Sequence, residues 1–389
     1  MTTVDQVDST FGRGPFPHFQ RSLGLFRPVG TNIFARAFTC VLVGWFPLLL
    51  LVFVASTPRW SAVWSFLTDF GTHARSLIAA PLFILCEPAC LKRLATIVNH
   101  FIKAGVVERD DKPRFEALVA SNRSLINGTF AEIVAIIAAY SIAIALVQHL
   151  PALGIRPWYL TSQNSTTMSV AGWWYSFVSL PLLLILNFVW LWRIVLWGRF
   201  LIRVAAMKLR LIAAHPDRAS GLKFLNSSLV AFIPLAFTFG VIAAGASANQ
   251  LLYNNATIET VQMLAGGLTA AVLILFVGPL LVFVVKLHAK KVEGIYSYGA
   301  LADDVGRQFE EKWLANNPEI RSGALEAPDF SATTDLYQVV ANVHDMKLVP
   351  FELRAVGSLV VAALLPFIPV VLMMMPIKSI VTELARLLV

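Results

Sequence analysis

Charged side chains are too few in this chain to coat a water-soluble body. Asp, Glu, Lys and Arg make up 14% of its 389 residues and hydrophobic side chains 57%, whereas soluble domains carry roughly 25% charge. Cysteine is scarce as well. Cys40, Cys86 and Cys90 all fall in apolar stretches, which excludes a disulfide framework. Of the seven histidines, no two stand three or four apart, so helical metal motifs are missing, and no matched pair shares one depth for a b-type haem. There is no phosphate-cradling glycine loop. Asp303-Asp304 lacks the further spaced aspartates of a diphosphate-binding magnesium site. Gly245-Ala246-Ser247 has the look of a serine nucleophile turn but no histidine at its depth. The sequence therefore carries no enzyme signature and calls for no cofactor and no metal.

What the chain has instead is long apolar runs. About 20 apolar residues are needed to cross the hydrocarbon core as a helix. Seven stretches qualify: Ile33–Ser56, Ser76–Leu91, Phe130–Leu150, Trp173–Trp192, Leu229–Leu252, Leu264–Val285 and Val356–Pro376. The second is short and contains Glu87, and charge placement decides in its favour. With seven crossings and the N-terminus inside, 26 of the 31 lysines and arginines fall on the cytoplasmic side, as the positive-inside rule requires. Without the second crossing, the seven basic residues after Trp192 would lie outside.

The expected architecture is an all-α integral membrane protein with its N-terminus cytoplasmic and its C-terminus outside. Residues 1–32 form a cytoplasmic segment, and residues 33–285 a six-span region with cytoplasmic helical loops at 92–129 and 193–228. Residues 286–355 form a cytoplasmic helical segment, and 356–389 the seventh span and tail. Ile33–Ser56 is too long for a signal-peptide core and reads as an uncleaved span. The same rule explains the net charge of +8 without a nucleic-acid partner, for which no basic, aromatic-bearing soluble domain is present. Such compactness suits a bacterial inner membrane.

Local patterns fill in the loops. Trp60, Val63, Trp64 and Leu67 suit a short helix in the outer interface, while 152–172 and 253–263 are polar connections. Leu94, Ile97, Val98 and Phe101 continue the second span as an amphipathic helix that Gly105 can end. A further helix is expected near Asp111, with Pro113 in its first turn and Phe115, Leu118 and Val119 on its apolar face. The fourth span is expected to run to about Ala214, with Arg199, Arg203 and Arg210 on one side. The sixth continues to about Trp313, with Ile295, Tyr298, Ala302, Val305 and Phe309 as a stripe. Residues 316–334 read as a loop, and a helix bearing Leu336, Val339, Val340 and Val343 follows. Segment 286–355 holds 11 acidic and 8 basic residues, so it packs with its neighbours rather than tethering the chain to lipid.

Candidate sites follow from polar groups in costly places. Glu87-Pro88 joins an ionisable group to a helix break. It reads either as a pathway or proton-relay contact, or as a structural pair with a cytoplasmic-side arginine. Glu132 and Asn187 can join Glu87 around one cavity, or each can make an interhelical hydrogen bond. His215-Pro216-Asp217-Arg218, before Ser220-Gly221, reads as an anion site using His215 and Arg218 or as an elbow held by an Asp217–Arg218 pair. Arg199, Arg203 and Arg210 can grip anionic headgroups, or simply obey the positive-inside rule. Cys86 and Cys90, one turn apart, are a soft-metal pair or buried apolar cysteines. Pro47, Pro81, Pro88, Pro181, Pro234, Pro279, Pro366 and Pro369 put breaks in six spans, and Gly240, Gly245, Gly266 and Gly267 permit close helix contacts.

The long basic helix ending in His215–Arg218, together with Tyr298–Leu301 and Leu348–Phe351, resembles an uncharacterised family of bacterial polytopic inner-membrane proteins over roughly residues 170–389. The resemblance implies a location and no activity. Three readings of function are carried forward. The first is a transport or channel protein for an ion or small solute. The second is a non-catalytic assembly or sensory subunit docking a cytosolic partner through 286–355. The third is a lipid-acting membrane enzyme using His215, Asp217 and Arg218. The lipid bilayer is the obligatory partner, and a homo-oligomer built through the cytoplasmic helices fits the same pattern.

Overall fold

The computed structural model describes residues 33–55, 60–126, 128–149, 157–161, 167–254, 256–314 and 328–374. The N-terminal segment 1–32, the loop signature at Asn316-Asn317-Pro318 and the tail beyond Met374 lie outside them. Among the described residues there is no strand, only two isolated bridges. Seven helices are long and apolar enough to cross a membrane: Ile33–Val54, Phe70–Lys103, Thr129–Val147, Val170–Ala205, Lys223–Tyr253, Ile258–Trp313 and Leu353–Met374. Hydrocarbon offers no partner to backbone N–H and C=O, so a spanning segment must satisfy them within itself, and helices do. The chain is a polytopic all-α membrane protein.

The first span consists of α1 (Ile33–Gly44) and α2 (Phe46–Ala55), interrupted just before Pro47. The short helix expected after the first span is α3 (Trp60–Leu67), with Trp60 and Trp64 exposed and Val63 buried. The second span passes through α4 (Phe70–His73), a π-helical turn at Ala74–Ala79, α5 (Ala80–Leu85) and α6 (Glu87–Lys103). Then come α7 (Lys112–Ile126) and the third span α8 (Thr129–His149). The fourth span joins α9 (Val170–Trp174), a π turn at Tyr175–Ser179 and α10 (Leu180–Ala205). The fifth is α11 (Asn226–Tyr253). The sixth links α12 (Ile258–Val272), a π turn at Leu273–Val277, a 3-10 stretch at Gly278–Phe283 and α13 (Val284–Trp313). After α14 (Pro328–His344), the seventh span is α15 (Leu353–Leu364) and α16 (Ile368–Met374).

All three even-numbered spans, which run in the same direction, contain a π turn, and in each a proline follows its last residue by two positions. Pro81, Pro181 and Pro279 lack an N–H, and their rings crowd the carbonyl four residues back. Widening the preceding turn by one residue relieves both faults. Pro234, by contrast, lies inside an unbroken α11, so the expected break in the fifth span is not there.

The fifth span is the hub, touching the second, sixth and seventh. Gly240 lies against the Ala363 carbonyl, and a β-carbon at Gly245 would stand 2.6 Å from Ala74 Cβ. Gly266 and Gly267 have open space where a side chain would go and make no such contact. Outward-facing Phe130, Ile133 and Ile137 of α8 are exposed in the isolated chain, as lipid-facing residues should be.

At the end where most lysines and arginines gather, here called the basic face, the spans extend into a compact layer. Leu94, Ile97, Val98 and Phe101 of α6 are all buried. Phe101 meets Phe115, Phe200 and Phe224 at ring-centroid distances of 6.0, 6.1 and 4.9 Å, and burying each such ring is worth about 2–3 kcal/mol. Gly105, with φ of 66°, ends α6. The α13 stripe packs on α14, where Phe309 meets Phe330 at 5.0 Å. Lys291 Nζ donates to the Met346 carbonyl at 2.8 Å, and Glu352 N to Asn226 Oδ1 at 2.9 Å. These bonds and the Phe101 ring contacts tie the loops at 92–129, 193–228 and 286–355 into one layer.

Three expected boundaries move, the first at the polar connection 253–263, whose residues from Ile258 onward already belong to α12. The fourth span ends at Ala205, about nine residues early, because Arg210 N donates to the Val106 carbonyl at 2.8 Å and Leu209 bridges Val107. Residues 328–334 are not loop but the start of α14, with Pro328 at a position where its missing N–H is harmless.

Replacing Gly240 by Val drives two methyl groups into the Ala363 carbonyl, a destabilisation of about 1–3 kcal/mol for overpacking. Thermal unfolding of the detergent-solubilised variant will show it as a lowered midpoint, and an unchanged midpoint contradicts the helix contact.

Candidate functional site

Three polar constellations stand out. The first is buried in the membrane-spanning bundle. Glu87 opens α6 immediately after the turn at Cys86, and its two oxygens take different arginines. Arg36 Nη2 of α1 donates to Oε2 at 3.2 Å, and Arg193 Nη2 of α10 to Oε1 at 2.6 Å. The Glu87, Arg36 and Arg193 residues are 5%, 8% and 4% exposed. Burying one ion costs several kcal/mol even after relaxation, so such a group persists only with close, hydrogen-bonded counter-charges. Trp190 completes the setting: its ring lies under the Arg193 guanidinium at 5.1 Å, and its indole N–H donates to the Phe83 carbonyl at 2.9 Å. Two guanidinium groups thus share one carboxylate, and Arg36 Nε has no hydrogen-bond partner among the described residues.

Of the residues expected beside Glu87, Asn187 is half-buried on α10, six residues or about 9 Å of helix rise from Arg193. Glu132 is half-buried in the first turn of α8. Cys86 and Cys90 are both buried, and no group of three or more metal-ligating side chains occurs among the described residues.

The second constellation, at the opposite end of the second span, escaped sequence reading. Asp69 is fully buried. Its Oδ1 accepts from Thr72 N at 2.9 Å and Asn249 Nδ2 at 2.8 Å, and its Oδ2 from Trp158 Nε1 at 3.2 Å. The Asn249 amide occupies the place a Gly71 β-carbon would take. Arg75 lies over the Tyr175 ring at 5.8 Å and donates through Nε to the Gly71 carbonyl at 2.9 Å. His73 bridges Trp45 Nε1 and the Phe66 carbonyl, both at 2.9 Å. Trp158 and Tyr159, from a loop that reads only as polar, stack at 4.0 Å and plug the bundle. Burial, reinforced by Tyr175 and Asp69, pushes the Tyr159 hydroxyl well above its ordinary range, so it stays protonated. The available signal was an aspartate in N-cap position ahead of an apolar run.

The third constellation is the elbow after α10. Asp217 Oδ1 accepts from the amides of Ala219 and Gly221 at 2.8 and 3.1 Å, and Oδ2 from that of Lys223 at 3.1 Å. His215 Nδ1 lies 2.8 Å from Oδ1. Arg218 and Ser220 adopt positive φ, 56° and 55°, and Gly221 90°; this left-handed run wraps the backbone around the carboxylate. The expected Asp217–Arg218 pair does not form, because Arg218 turns outward to Asp345 at 3.5 Å. Instead His215 and Asp217 line a cavity of about 470 Å³ with His100, Arg210 and Lys223, closed on its apolar side by Val106, Ile212 and Phe224.

The three candidate headgroup arginines therefore part company. Arg199 is bound to Asn122 and to Ser121 Oγ on α7, Arg203 is exposed on α10, and Arg210 belongs to the cavity. No protein-family model, curated protein or solved structure matches the chain. Function is read from geometry alone.

Burial alone would raise the Asp217 pKa, but the amides of Ala219, Gly221 and Lys223 together with His215 outweigh it and hold the carboxyl below its ordinary 3.8. A depressed folded-state pKa stabilises the elbow above that ordinary value, and the contribution is lost as pH falls through the lower folded value. Asp217→Ala removes the acceptors of three amides, a loss of about 1–2 kcal/mol locally. Amide hydrogen exchange at Ala219, Gly221 and Lys223 should accelerate in the variant at neutral pH; unchanged protection contradicts the cradle.

Proposed function

We propose that the protein is of transport or channel type and that its cargo is a small anion taken up from the basic, cytoplasmic face. The observation that carries this reading is the buried Arg36–Glu87–Arg193 triplet. Ionisable residues inside a membrane bundle mark pathways by default, and here two cations share one carboxylate. Glu87 is then the fixed counter-charge that makes two buried arginines tolerable, and a passing anion meets the Arg36 Nε–H, which has no partner among the described residues. The π turns before Pro81, Pro181 and Pro279 support the reading. Wide turns next to prolines are points where a helix bends without losing backbone bonds to water, and three parallel spans share them at one offset.

The α13–α14 pair supports a second reading. It leaves Tyr296, Leu301 and Tyr337 exposed, and a non-transporting subunit would dock a soluble partner there. Deleting that pair separates the two, because the docking reading requires partner recovery by pull-down to vanish while flux, if present, persists.

The test is flux in proteoliposomes. Wild-type protein should pass nitrate or chloride in preference to potassium, and Arg193→Ala should slow the anion about tenfold, the scale of one lost charge-assisted contact. Absence of anion flux, or flux indifferent to both Arg193→Ala and Arg36→Ala, contradicts the reading.

A further inference from the structure

We propose that the cavity at the basic face is a binding site for a small organic phosphate, held by Arg210, Lys223 and the two imidazoles. The site stands apart from the transport reading, since a ligand can bind here whether or not anything crosses the membrane.

Asp217 is the one acid among the lining residues. Asp217 would repel an anion if its carboxylate faced the cavity, but both oxygens are turned into the amides of Ala219, Gly221 and Lys223. Its remaining contact is His215 Nδ1 at 2.8 Å. That bond orients the imidazole, and the far edge of the ring, Cδ2 and Nε2, lies 3.8 Å from the position of a β-carbon on Gly221. A side chain at Gly221, already strained at φ of 90°, would enter the space beside Nε2.

Two cations with different commitments also line the cavity. Arg210 is anchored through its backbone to Val106, while its guanidinium has no carboxylate partner among the described residues. Lys223 pairs with Glu352 at 2.7 Å, both partly exposed, and solvent screens such a surface pair so that it holds weakly; a doubly charged ligand can draw the ammonium across. A guanidinium fork and an ammonium are the usual grip on phosphate oxygens.

Size and the apolar wall then argue against a bare ion. At about 470 Å³ the cavity falls in the range of small-molecule sites. His100 lies against Phe224 at 4.5 Å, offering a flat wall for the organic part. The shared chemistry, a phosphate on a small organic group, is supplied either by a soluble metabolite or by a phospholipid headgroup.

The experiment titrates full-length protein with glycerol 3-phosphate by calorimetry. It is run in nanodiscs of phosphatidylcholine alone and again in nanodiscs containing phosphatidylglycerol. Saturable binding in the first discs is expected. It should be weakened about tenfold or more by Arg210→Ala, in part by Arg210→Lys and His215→Gln, and not by Arg307→Ala on α13. Thermal unfolding of each variant reports that it is folded, and Arg210→Lys carries the comparison if the alanine variant is not. Equal binding in both discs assigns the site to a soluble ligand. Loss of binding in the phosphatidylglycerol discs, together with lipid-dependent thermal protection that Arg210 substitutions abolish, assigns it to a headgroup. No saturable binding and no such protection in either disc, or binding indifferent to both Arg210 and His215 substitutions, overturns the proposal.

Discussion

The carboxylate of Glu87, held between Arg36 and Arg193, constrains how the first, second and fourth spans can be arranged. Without it both guanidinium groups lose their close carboxylate in a low-dielectric interior, where Coulomb attraction is many times stronger than in water. The three spans need not be packed by apolar shape alone, because lipid tails are as apolar as leucine and provide no preference for helix contact. A hydrogen-bonded ion triplet does provide one. It also fixes rotation, since a turn of α6 by one residue would carry Glu87 about 100° away from both arginines.

Around that fixed point the even-numbered spans are built from short rigid pieces. A proline in a helix removes one bond and crowds another, and the chain answers three times with a π turn ending two residues earlier. Close glycine contacts at Gly240 and Gly245 then seat the fifth span against the seventh and second. The bundle thus combines an ionic lock, three local widenings and a tightly fitted hub. At the basic face the aromatic group around Phe101 joins span extensions into a layer that carries its own cavity, and at the other face Asp69 gathers Trp158, Thr72 and Asn249.

Much of this was legible because bilayer thickness and charge sorting act on single segments. The seven crossings, the short helix at Trp60–Leu67, the Gly105 stop and the long sixth helix to Trp313 all follow from apolar run length, charge placement and local periodicity. Relations between segments were not legible. Glu87 was visible as a costly group, and an arginine partner was one of its two readings, but nothing in the sequence said that the arginines would be Arg36 and Arg193. Asp69 was hidden because it resembles an ordinary helix cap until Asn249 and Trp158 arrive from 180 and 89 residues away. Arg210 was placed on a helix because its spacing from Arg203 is helical, and the tertiary bridge to Val106 overrode that propensity. His215 and Asp217, neighbours in sequence, line one cavity, whereas Arg218 is drawn off by Asp345, a residue on a segment that sequence distance gave no reason to pair with it.

The most direct test of the ionic lock is a double-mutant cycle on Glu87→Gln and Arg193→Gln, read by equilibrium unfolding in detergent. Breaking a buried pair from one side should cost about 3–5 kcal/mol. The double substitution should then be less damaging than the sum by about 2–3 kcal/mol, the coupling of groups in direct contact. Additive effects would mean that the two side chains do not sense one another, and the account of how these spans are held together would be contradicted.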